Sequence, residues 1–132
     1  MVYLAGYVAA LVLFGAVDAL WLFLMGPALY RPTLGDILLA EVRLGPAIAF
    51  YLLYPIGVLV LAVLPALKSG SLAAAIGSGI VLGALCYGTY DLTNFATLRN
   101  WTLQITMVDI AYGAVVSGLV AAAGFWAARA VS

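Results

Sequence analysis

Asp18, Asp91 and Asp109 lie inside three of the most apolar stretches of a chain that is 67% hydrophobic and 8% charged. A carboxylate in hydrocarbon costs about 3 kcal/mol on insertion scales, so it is kept where it faces a protein interior or a water-filled cavity. Three such groups suit reversible protonation or the binding of a cation or a small amine-like ligand. Polar and aromatic neighbours recur at helical spacing around them. Tyr87, Asp91 and Asn94 share one helix face, Thr106, Tyr112 and Gly113 flank Asp109, and Trp21 follows Asp18 by one turn. Tyr54 reaches the same depth from another stretch. The candidate ligand-binding set is therefore Asp18, Trp21, Tyr54, Tyr87, Asp91, Asn94, Asp109 and Tyr112.

The elements that must hold these residues follow from composition. A soluble domain carries charge on roughly a quarter of its residues, and ten charged residues in 132 cannot supply that surface. At about 20 apolar residues per crossing, the chain reads as a single all-α transmembrane domain over residues 1–132. Four spans are expected, at about 4–29, 46–67, 72–98 and 102–128. The first should end at Gly26-Pro27, because proline disfavours a helical residue before it. It carries Asp18 and is not preceded by Lys or Arg, so it reads as a retained span rather than a cleaved signal peptide. Between spans one and two, residues 33–43 set Ile37, Leu38, Leu39 and Val42 against Asp36, Glu41 and Arg43, the pattern of a short interfacial amphipathic helix. The fold class is thus an integral membrane four-helix bundle with that helix as its one accessory.

Depth brings the acids together. Asp18 lies nine residues before Pro27, Asp91 eight before Arg99 and Asp109 eight after Trp101, or ~13, ~12 and ~12 Å from the ends leading to loops one and three. Four alternating spans put those loops on one side, so all three carboxyls should occupy one layer, in a pocket open towards residues 33–43. Carboxyls in one low-dielectric layer do not all ionise, and at least one is expected to hold a proton shared with Asn94 or a tyrosine. The competing reading is that the acids only pin helices together, at ~0.6 kcal/mol per interhelical hydrogen bond. Small residues at every fourth position, Ala75-Gly79-Gly83 and Gly113-Ser117-Ala121, predict close helix approach beside the acids.

Several chemistries are excluded. With no histidine and one cysteine, Cys86, sites built on imidazole or on thiolate pairs cannot form, and no cofactor or resident metal is expected. Oxygen ligands for a hard divalent cation exist, but helix spacing does not set their geometry. A net charge of zero with scattered basic residues gives no nucleic-acid footprint. The first functional reading is a transporter- or channel-like protein in contact with membrane lipid, for which a homodimer is expected because four spans make a narrow bundle. The alternatives are a lipid- or isoprenoid-binding enzyme or accessory factor using a carboxyl with Tyr87, Tyr90 or Tyr112, and a structural membrane scaffold.

The run Tyr90-Asp91-Leu92-Thr93-Asn94-Phe95-Ala96-Thr97-Leu98, followed by Trp101, resembles the signature of a bacterial family of small four-span inner-membrane proteins of unknown function. Asp18 and Asp109 resemble its other polar landmarks. The resemblance implies a four-span fold in the bacterial inner (cytoplasmic) membrane, and no activity comes with it. All five acids fall in the half nearer loops one and three with Arg31, Arg43 and Arg99, a net of minus two, while Lys68 and Arg129 lie at the opposite end. Counting Lys and Arg alone, as the positive-inside comparison does, leaves orientation open.

Overall fold

The computed structural model describes all residues, 1–132, and contains helices and turns without strands. Helix α1 spans Val2–Met25, a π turn covers Gly26–Tyr30, and α2 spans Arg31–Leu34. The second span is built from α3 (Leu44–Val58), a π turn at Leu59–Val63, and α4 (Leu64–Ser69). Helices α5 (Leu72–Thr97) and α6 (Leu103–Ala130) form the third and fourth spans. Four helical stretches are long and apolar enough to cross a membrane. Only 31 of 132 residues are buried, and the outer faces carry side chains such as Val12, Phe23, Leu61, Val81 and Met107. That surface is stable against hydrocarbon and not against water.

Local sequence explains where each helix starts and stops. Gly70 takes a left-handed conformation (φ 66°, ψ 24°) that closes α4. Ser71 and Thr102 cap α5 and α6, accepting from the backbone N–H of Ala74 and Ile105. No proline follows Pro65, so both helices run unbroken.

The first helix does not end at Pro27. That proline lacks an N–H, and its ring crowds the carbonyl four residues back. The backbone widens there, and the Arg31 N–H reaches back to Gly26 O. The helical stretch thereby extends over Val2–Ile37, 36 residues. It breaks at Gly35, whose φ of 55° suits only a residue without a Cβ. The separate interfacial helix expected over residues 33–43 does not form: Thr33–Ile37 are the end of the first helical stretch, as the last residues of α2 and a 3-10 turn, Leu38 is extended, and helix resumes at Leu44.

Helix α6 is the centre of the bundle, packing most extensively on α5 and next on α1. The α5–α6 approach depends on the small residues. A Cβ on Gly83 would stand 2.2 Å from the Gly113 carbonyl oxygen and 2.5 Å from Ser117 Oγ, and one on Gly79 would stand 2.6 Å from the Ser117 carbonyl oxygen. One on Gly113 would enter the ring of Tyr87, 2.1 Å from its Cγ. The main core, with Ala10, Phe14, Val58, Val63, Val116, Val120 and Phe125 at its heart, fills the end of the bundle away from loops one and three. A second cluster of Leu29, Leu34, Trp101 and Ile105 fills the other. Trp101, just before α6, is buried with its Nε1 donating to Thr106 Oγ1 (3.1 Å).

These contacts predict that Gly83→Ala forces α5 and α6 apart and destabilises the protein by about 1–3 kcal/mol, as overpacking does. Gly77→Ala, where a Cβ meets nothing within 4 Å, should be neutral or slightly stabilising. Thermal unfolding in detergent compares the two directly.

Candidate functional site

Asp18, Asp91 and Asp109 are all buried, at 9%, 0% and 8% exposure. They form two adjoining stations rather than one chamber, because α6 lies between α1 and α5. At the first station, Asp18 on α1 has both oxygens engaged. Tyr51 of α3 donates to Oδ2 and Tyr112 of α6 donates to Oδ1 (2.8 Å). A carboxylate is acceptor-only, so two phenol donors from two other spans match it well.

At the second station, Asp109 Oδ1 accepts from the Tyr30 hydroxyl at 2.5 Å. Tyr30 O in turn accepts from Trp21 Nε1 at 3.0 Å. The antiparallel register that sets Gly83 on Ser117 and Tyr87 on Gly113 brings Asp91 level with Asp109, and no donor reaches either Asp91 oxygen. Arg99 therefore does not reach Asp91. An unpaired buried carboxyl is costly, and it is the most conspicuous chemical feature of the interior. Gly88, one turn before Asp91 on α5, is also buried, and no atom lies within 4 Å of where its side chain would start. That space lies on the outer face of α5, among the exposed Val81, Leu85, Leu92 and Phe95.

The two stations meet through rings. Trp21 stacks on Tyr112 at 4.1 Å with an 11° interplanar angle. The Tyr87 ring stands edge-on to Tyr112 (6.1 Å) and to Tyr54 (6.3 Å). A proton cannot cross the Trp21–Tyr112 stack along hydrogen bonds, so the stations are electrostatic neighbours without a continuous relay between them.

Of the residues singled out by spacing, Asp18, Trp21, Asp109 and Tyr112 take part in these contacts directly, and Asp91 stands unpartnered beside Asp109. Tyr54 bonds Ser117 Oγ (2.6 Å) and belongs to the apolar core. Tyr87 fills the notch at Gly113 and touches no carboxyl by hydrogen bond. Asn94 is half-buried and donates to none of the three acids. Spacing missed two donors. Tyr51 could have been found, since it lies three residues before Tyr54 and so one turn away on the same flank. Tyr30 could not: it falls beyond Pro27, and the π turn that swings it inward leaves no pattern in the sequence.

Neither a curated protein nor a solved structure matches the chain. A family model described as "Predicted membrane protein (DUF2177)" matches residues 3–126, nearly the whole helical bundle. Together with four membrane-crossing helices, this match places the chain in the DUF2177 family of multi-pass membrane proteins of unknown function.

Proposed function

We propose that this protein binds a proton reversibly at the Asp91–Asp109 pair within the membrane, as part of a transporter- or channel-like activity. The observation that carries the reading is the Asp91 carboxyl, wholly buried with both oxygens unpartnered. Two adjacent carboxyls in a low-dielectric site share one proton more readily than they hold two negative charges. Uptake needs no chemistry beyond transfer of a proton from water to a carboxyl oxygen.

The pinning alternative makes the opposite demand on stability. A carboxyl that only pins helices together needs a fixed donor, and apart from a proton shared with Asp109 no donor reaches Asp91. Replacing a buried orphaned polar group by an apolar one removes its desolvation penalty. Asp91→Leu is therefore expected to abolish proton uptake while costing no more than about 1 kcal/mol of unfolding stability. A larger loss of stability would favour the scaffold.

Infrared spectroscopy of the full chain in liposomes tests the proton directly. A protonated-carboxyl C=O band that appears and disappears with pH is expected, lost in Asp91→Asn and kept in Asp18→Asn, with pH-driven proton flux into the vesicles falling to background in Asp91→Asn only. A band and flux unchanged by both Asp91→Asn and Asp109→Asn would refute the assignment.

A further inference from the structure

The carboxyl pair is sealed on the side of loops one and three by a small apolar plug. Ile105 lies one turn before Asp109 on the same face of α6, and it is wholly buried beneath Leu29, Leu34 and Trp101. Leu29 and Leu34 come from the segment Gly26–Ile37, which leaves α1 through the π turn at Pro27 and ends at the positive-φ Gly35. At its origin Gly26 has open space around it. At its far end one side chain holds it down. Asn100 Nδ2 donates to the Leu34 carbonyl at 2.8 Å and lies 3.4 Å from Asp36 Oδ1.

The same segment carries Tyr30, the sole hydrogen-bond donor to Asp109. We infer that Gly26–Ile37 is a hinged cover over the Asp91–Asp109 pair, latched by Asn100, and that Tyr30 is the positioning residue that ties the cover to the proton. With the cover down, the Tyr30 hydroxyl stabilises a negative Asp109 and the plug excludes water. Lifting the cover takes away that donor in the same motion that admits water to solvate the carboxylates, so the proton's affinity and the cover's position are coupled. By reciprocity, a change in the protonation of the pair shifts the cover. This inference rests on the proton-binding reading above for its coupling and on geometry alone for its motion.

Two measurements on the full chain in liposomes separate the two. Tyr30→Phe keeps the ring in the plug and removes the hydroxyl. Read from the pH dependence of the infrared carboxyl band, it should hold the proton about tenfold more tightly, the effect of losing one hydrogen bond to a charged group. Asn100→Ala, or Asn100→Asp should alanine not fold, releases the latch. It should speed deuterium exchange of the same band by about fivefold or more, the worth of one ordinary hydrogen bond. In a Cys86→Ser background it should speed maleimide labelling of Ile105→Cys by a similar factor. If exchange and labelling are unchanged in the latch variants, no cover moves; if Tyr30→Phe leaves proton affinity unchanged, the coupling falls. A missing carboxyl band in every variant would sink the proton reading, and labelling alone would then decide the cover.

Discussion

The close approach of α5 and α6 is the constraint on which the interior depends. At Gly79, Gly83 and Gly113 the two helices leave no room for a single added carbon, and that contact sets Asp91 beside Asp109. In a bilayer the burial of apolar side chains against each other gains little over contact with lipid, so helices associate through surface fit and polar contacts. Glycine supplies the fit. The polar contacts on the other side of α6 are the two tyrosine bonds to Asp18, which join spans one, two and four at one carboxylate.

Against that rigid pair, the first two spans are irregular, and each irregularity coincides with a proline. Pro27 lies within one π turn and Pro65 follows the other. An inserted residue rotates everything beyond it relative to the preceding helix, and single π turns are frequent at functional sites. Here the first such turn carries Tyr30 from the expected loop into contact with Asp109. The rigid pair thus holds Asp91 and Asp109, while the bent first span supplies Asp18, a donor and a lid.

The unequal treatment of the three acids follows from this division. Asp18 receives two donors, Asp109 one and Asp91 none. A protein that needed only to tolerate three carboxyls would give each a partner. Leaving one unsatisfied in the most buried position costs stability, and such concessions are typical of sites that must bind and release.

Spans, membrane class and the acids themselves were legible in the amino-acid sequence, because hydrocarbon admits only long apolar helices and makes every carboxyl within them stand out. The four-residue spacing of Gly79, Gly83, Gly113 and Ser117 likewise announced the tight helix pair, since helical periodicity puts such residues on one face. What lay outside its reach was which face meets which. The assignment of Tyr51 and Tyr112 to Asp18, the separation of the acids into two stations, and the burial of Trp101 depend on the rotation of each helix about its axis. So does the arrival of Tyr30, which a π turn too local to leave a periodic signal redirects. Those rotations are set by contacts between residues far apart in the chain, and only the tertiary structure decides them.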